Sequence, residues 1–462
     1  MTLSKLSPAR LRPAAWILGA TLLLMLAGCA SVQTSGGATT GHGPRSEAMQ
    51  QAEALAMQAM TQGGAERVQT DKQIDALLAA LDNAALQREA ASLAAGSPLY
   101  NYAGRALLRR GLSLPRPFDR AAWKFAAANR PPADKDGYRP PMKLAVLLPL
   151  SGNLATAAAP VRDGLLTAYY GETRRRPEIA FYDTSTGAAA AYDRAVTEGN
   201  DFVVGPLGRD EVNALFNRGT LPVPLLALNR AQVPPPVGNA SFSLSPEDEG
   251  MAAAELLLDR GARRVLVVSA EDDTQRRAVN ALRERLSERG GVVTDVANET
   301  VADFAPFAAK QGGVDAIFLA VKGGVARQLM PRLALAGLGG KPRVATSQLL
   351  SGTGKADENR VLDGTAFPSE SWTTRGVPGL PPVSTAAEML PNAKGPPARL
   401  FAFGYDAWLI TAYLEHLATS AGGIHGATGI LRIDGFGNVQ RTPAWSTFQG
   451  GVAVPLADAS RR

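Results

Sequence analysis

Between residues 142 and 346 the chain alternates short, unbroken apolar runs with longer stretches of helical texture, and few folds accept that pattern. The runs fall at 144–148, 179–182, 202–204 and 223–228, then at 265–268, 291–293, 316–319 and 344–346. The stretches between them are expected to be helices: 158–171, 187–199 and 208–218 in the first set, 246–260, 274–290, 303–311 and 323–336 in the second. A strand that is apolar at every position, not at every second one, is covered on both faces. Parallel strands joined by crossover helices supply that cover. Two successive sets of similar size therefore predict an α/β chain with two doubly wound lobes. Ser245, Pro246 and Asp248 suit the opening of the 246–260 helix, as cap, first residue and first-turn acid.

After the second set comes a helical stretch at 398–419. A hairpin follows at 429–433 and 438–441, turning on Asp434-Gly435-Phe436-Gly437. A helix and a hairpin behind two complete lobes imply that the chain crosses back between them. This resembles the topology of type I periplasmic binding proteins, in which three crossovers form a hinge over a cleft.

The other end carries an address. Lys5, Arg10 and Arg12 precede an apolar run from Ala14 to Ala27 that ends in Leu26-Ala27-Gly28-Cys29. Basic, apolar and small-residue zones in that order make a secretory signal, and the run is shorter than the roughly 20 residues of a bilayer span. Its ending resembles the lipobox of bacterial lipoproteins, which implies cleavage before Cys29 and lipid on its thiol. Ala30 replaces the Asp that retains such proteins in the inner membrane, so the analogy implies the outer membrane, periplasmic side. Cys29 is the one cysteine among 462 residues, so the mature chain must stand on its core without a disulfide.

The expected division is signal peptide 1–28, flexible Ser/Thr/Gly-rich tether 29–45, short helical region 46–114, Pro-rich linker 115–141, two-lobed module 142–452 and tail 453–462. Apolar residues at helical spacing (Ile74, Leu77, Leu78, Leu81, Ala85) and breaks at Gly63-Gly64 and Gly96-Ser97-Pro98 suggest three helices in the helical region. The linker holds a further short helical piece around Trp123.

Several functions are disfavoured. Losing residues 1–28 removes three cations and no anion, lowering the formal net charge from +6 to about +3. Arg174-Arg175-Arg176 is the one basic block and reads as a solvated helix end, so nucleic acid is not an expected partner. His42, His416 and His425 are scattered, and no Gly-x-Ser-x-Gly elbow or zinc-spaced pair occurs, so no catalytic residue, metal or cofactor is expected. Gly352-Thr353-Gly354-Lys355 lacks the earlier glycine of a phosphate loop and has Ala356 where Ser or Thr would bind magnesium. Glu247-Asp248-Glu249 reads as a helix first turn, where carboxylates suit the dipole.

A cleft is the better candidate, because ligands of open α/β sheets sit beyond the carboxyl ends of the strands. Those ends carry Ser151, Asp183, Gly205 and Asn229 in the first lobe, and Ser269 and Ser347 in the second. The same residues equally suit turns and caps, so a small-molecule ligand and a purely structural role both stand.

The motifs then become specific. Leu147-Leu148-Pro149-Leu150-Ser151-Gly152 and Val161-Arg162-Asp163-Gly164 resemble the opening of type I binding-protein lobes. Phe181-Tyr182-Asp183-Thr184, Val203-Val204-Gly205-Pro206-Leu207, Leu226-Ala227-Leu228-Asn229, the segment 244–249, Ala345-Thr346-Ser347-Gln348, Phe403-Gly404-Tyr405-Asp406-Ala407 and the end from Gly426 through Arg441 to Trp445 resemble one branch of that fold. That branch is the penicillin-binding protein activator lipoprotein family (LpoA/LppC). The pieces keep family order across about 140–450. The resemblance implies a non-enzymatic outer-membrane lipoprotein that binds and activates a class A penicillin-binding protein, a peptidoglycan synthase. The best-known members carry a large helical-repeat domain before the lobes; here about 100 residues precede residue 140, which shortens the reach across the periplasm. The alternative from another class is a lipid-anchored solute-binding protein or sensor of a small metabolite.

Overall fold

A computed structural model describes residues 45–119, 130–352 and 354–457. Cys29, His42, Thr353 and the stretch around Trp123 lie outside the described residues. The described residues make one compact unit.

The first lobe is a parallel sheet of β1 (Lys143–Leu148), β2 (Glu178–Asp183), β3 (Phe202–Val204), β4 (Leu225–Ala227) and β5 (Ala240–Ser241), in the order β2-β1-β3-β4-β5. Helices Ala155–Gly171, Ala188–Thr197 and Arg209–Phe216 connect its strands. The second lobe continues with β6 (Arg264–Ser269), β7 (Val292–Asn298), β8 (Ala316–Ala320), β9 (Arg343–Ala345) and β10 (Thr365–Ser369), all parallel to one another. Its helices include Pro246–Asp259, Asp273–Glu288 and Gly323–Leu335. β11 (Ile424–His425), β12 (Ile430–Ile433) and β13 (Val439–Thr442) form a small antiparallel sheet. β14 (Ala444–Gln449), antiparallel to β10, and β15 (Val452–Pro455), antiparallel to β14, then complete the second lobe.

The chain thus passes between lobes three times. It crosses after β5, returns in the long helix Pro397–Thr419, and leaves again through Pro443 between β13 and β14. The long helix belongs to the first lobe, because its buried Phe401, Tyr405, Trp408 and Leu414 share a core with Val146, Val161 and Leu165. It crosses the Ala155–Gly171 helix backbone to backbone. A Cβ on Gly164 would stand 1.9 Å from the Phe401 carbonyl oxygen, and one on Gly404 1.9 Å from that of Val161. Both glycines lie in the motifs that gave the resemblance, and this contact is the physical reason for them.

The helical region differs from expectation. It has four helices, Glu47–Ala59, Gly64–Ala80, Asn83–Ser92 and Tyr100–Arg109. The added break falls at Leu81-Asp82, where the Asp82 carboxylate caps the next helix by accepting the Ala85 N–H at 2.7 Å. Apolar spacing runs straight across that break and conceals it. These helices share a core of Met49, Ile74, Leu78, Leu86, Tyr100 and Leu107. They also dock on both lobes. Tyr102 packs on Phe436, in the β12–β13 turn, at 4.7 Å between rings. On the other side Arg289 donates to the carbonyls of Ala79 and Leu81, and Lys72 faces Glu284.

The Arg174–Arg176 triplet is more than a solvated helix end. Arg174 stacks 3.8 Å over Tyr138 and pairs with Glu172 and Asp136, while Arg175 donates to the carbonyls of Pro140 and Pro141. With Arg130 and Arg139 both on Glu415, residues 130–141 are fastened to the first lobe.

Candidate functional site

In the first lobe the strand ends turn inward on themselves. The Ser151 hydroxyl donates to Asp183 Oδ2 at 2.6 Å, and the backbone N–H groups of Leu150 and Ser185 donate to Oδ1. Those bonds, led by that from Ser151, hold the Asp183 carboxyl well below the usual carboxylate range. Gly205, at φ +103°, lies against the Leu147 carbonyl, where a Cβ would stand 2.1 Å away. Asn229 bridges the Leu207 carbonyl and the Arg230 N–H. In the second lobe Ser269 bonds its neighbour's carbonyl.

Ser347 behaves differently. It borders a cavity of about 510 Å³ together with Glu249, Gln275, Gln348, Glu370 and Arg399. Of the six residues singled out from the sequence, Ser347 alone lines this cavity. Two lines of chain meet there. Glu249, Gln275, Ser347 and Glu370 belong to the second lobe, at the starts of two helices and the ends of β9 and β10. Arg399 comes from the first turn of the long helix, hence from the first lobe.

The charges in this place are matched internally. Glu249 is 5% exposed, and Glu370 3%. Arg399 pairs with both carboxylates, with Nε 3.3 Å from Glu370 Oε1. Ser347 donates its N–H to Glu249 Oε2 at 2.9 Å and its hydroxyl to Oε1 at 2.8 Å. Burial pushes the Glu249 carboxyl up, but Arg399 and the Ser347 N–H outweigh it and the net direction is down. Arg441, half-buried with its Nη1 on the Thr428 carbonyl, adds positive potential. The neighbouring acids also have partners: Asp248 meets Arg230 of the first lobe at 2.8 Å, and Glu247 meets Arg277 of the second at 2.7 Å.

The Glu247-Asp248-Glu249 run is therefore more than a helix first turn. The capping itself is present, with Ser245 Oγ accepting the Asp248 N–H. Yet Asp248 and Glu249 both reach across to the other lobe. Sequence spacing could not show this, because Arg230 and Arg399 lie 18 and 150 residues from their partners.

Elsewhere, Gly354 and Asn359 bond each other near the Lys355 loop. His425 is exposed on β11, and His416 lies by Gly137 and Tyr413. Among the described residues no group of His, Cys, Asp and Glu is placed to hold a metal ion, and no helix is long and apolar enough to cross a membrane.

Two doubly wound lobes, three crossovers and a cleft at the strand ends define a type I periplasmic binding protein-like module. Residues 137–310 and 303–451 match the family described as "LppC putative lipoprotein", and the chain belongs to that family. Curated relatives named penicillin-binding protein activator LpoA are similar. That of Photobacterium profundum is 27% identical over 354 residues, covering 68% of this chain and 57% of its own length. That of Escherichia coli K12 is 25% identical over 326 residues, covering 61% and 48%. The chain spans about half the length of the curated relatives it matches. Among solved structures, the C-domain of LpoA (YraM) from Haemophilus influenzae, described as a regulator of PBP1A, has the same fold, with TM-score 0.60 and 23% identity over 68% of this chain and all of that one. Full-length LpoA from that organism covers 88% of this chain at 21% identity and TM-score 0.60, with 78% of its own length matched. A "putative branched-chain amino acid ABC transporter" from Chromobacterium violaceum matches at TM-score 0.52 and 27% identity, over 66% of this chain and all of that one.

Proposed function

We propose that this chain is a non-enzymatic accessory lipoprotein of the outer membrane, anchored through Cys29 after loss of residues 1–28, that binds and activates a class A penicillin-binding protein. The observation that carries this is the extent of the family match, which runs through the whole two-lobed module, 137–451. The relatives that share the module bear the activator's name. The division proposed with it is tether 29–45, helical region 46–114, linker 115–141, module 142–452 and tail 453–462.

Activation by such a protein is recognition, not chemistry. It shifts the synthase toward its active state by as much as its affinity for the two states differs. The internally matched charges of the cleft support that reading, because a carboxylate and a guanidinium already paired with each other are not free to hold a ligand. A second reading, a solute-binding or sensor protein, is favoured by one observation: the 510 Å³ cavity with Gln275 and Gln348 on its wall. In that reading Ser151, Asp183, Gly205, Asn229, Ser269 and Ser347 line or shape a ligand cleft.

The deciding experiment is a pull-down of purified class A synthases with the lipid-free protein, followed by glycan polymerisation and crosslinking assays. Binding with faster crosslinking is expected; no binding and unchanged crosslinking would refute the proposal. A thermal-shift screen of amino acids and muropeptides tests the second reading, since a tight ligand raises stability by mass action.

A further inference from the structure

One wall of the cleft is built as a receptor for a carboxylate. Ser347 opens the short turn Ser347–Leu350 directly after β9, so its N–H has no partner within that turn. The N–H, the Ser347 hydroxyl and the Arg399 guanidinium converge on one planar anion. Backbone N–H, hydroxyl and guanidinium together are a donor set that recognises carboxylates through charge-assisted bonds. The anion they hold is the chain's own Glu249, which also borders the 510 Å³ cavity.

We infer that Glu249 is a built-in ligand: its side chain fills a carboxylate-binding site of the cleft, and removing it uncovers a site for a small monocarboxylate. Cutting Glu249 back to alanine takes away a CH2–COO⁻ unit. Acetate carries the same atoms with one more hydrogen, and the adjoining cavity gives it a way in. In the intact chain this position is taken, so a solute presenting a free carboxylate cannot use it to draw the lobes together. The inference stands apart from the activator reading and survives its failure, since it concerns the cleft alone.

The test compares melting temperatures of the wild type, Glu249→Ala and Glu249→Gln, each as the full chain in detergent at neutral pH, titrated with sodium acetate or with equal sodium chloride. Glu249→Ala is expected to melt well below the wild type and to regain Tm saturably in acetate, half-maximally at about millimolar concentration as befits so small a ligand. Wild type and Glu249→Gln, whose sites are filled, should show no saturable gain over chloride. Identical responses of Glu249→Ala to acetate and chloride would overturn the inference, as would a wild type that responds as strongly as the variant. If Glu249→Ala folds in acetate and not in chloride, the inference stands; if it folds in neither while Glu249→Gln folds, it fails.

Discussion

Asp75 shows how strongly single charges tie this molecule together. Its carboxylate accepts from Arg105 at 3.1 Å and Arg109 at 3.0 Å, joining two helices of the N-terminal region. Burial pushes the group up, but the two guanidiniums prevail and bring its pKa down to about 2. A depressed folded-state pKa contributes stability above the unfolded value near 4 that is lost as pH falls toward 2. Asp75→Asn is therefore expected to lower unfolding stability by about 2 kcal/mol at pH 7. That gap should narrow steeply below pH 4, as urea melts across pH would read. The inter-lobe pairs separate by burial in the same way. Arg399→Met strands Glu249 without its countercharge and should cost about 3 kcal/mol or more, because an uncompensated buried charge remains. Arg230→Met breaks a pair that is a quarter to a third exposed and should cost less than about 1 kcal/mol. Equal losses would contradict the geometry. None of these partnerships was legible in the sequence. An acid in a helix first turn looks the same whether it faces solvent or an arginine 150 residues away.

At the scale of elements, the sequence was most readable where strands are buried on both faces. β1, β3, β6 and β8 stand where unbroken apolar runs predicted them, since a strand roofed by helices has no polar side to show. β10 was not foreseen. Thr365–Ser369 is fully buried, yet its Thr, Pro and Ser break the apolar signal, and its hydroxyls are satisfied by pairing, as with Ser369 and Ser446 at 2.7 Å. β7 runs on to Asn298, beyond the predicted 293, because an edge strand half in water tolerates polar residues. The 303–311 helix shrank to Ala305–Ala308, with Pro306 in its first turn. Helix contact supplies the element-scale prediction. Gly404→Ala drives a Cβ into the Val161 carbonyl, backbone against backbone, and should destabilise by about 1–3 kcal/mol. Adding Gly164→Ala should cost less than the sum of the two single changes, because helices already forced apart leave room for the second methyl. Strict additivity in a double-mutant cycle would mean that the two contacts are independent.

For the whole molecule the main surprise is the helical region. The sequence marked it only as a short helical region ahead of the linker. In the fold it is bolted to both lobes, through Phe436 on one side and through Arg289 and a charged layer on the other. In that layer Arg285, 3% exposed, holds Glu255, and its charge is felt by Arg109, the partner of Asp75. Composition hides this, because docking depends on which face of each helix meets which lobe. A protease site engineered between Asp119 and Arg130 provides the check. After cleavage, the N-terminal fragment and the module should co-elute on size exclusion at physiological salt. Fragments that separate there would contradict the docking seen.

The two lobes and the helical region are thus stitched at three seams: the Arg399–Glu249 pair, the Arg230–Asp248 pair and the straddling helices. In a hinged receptor, part of the free energy of capture is consumed in fixing the angle between the lobes. A body stitched in this way arrives with its outline already set. Whatever lands on it meets one fixed relief, and almost all the ordering entropy of the encounter falls on the visitor.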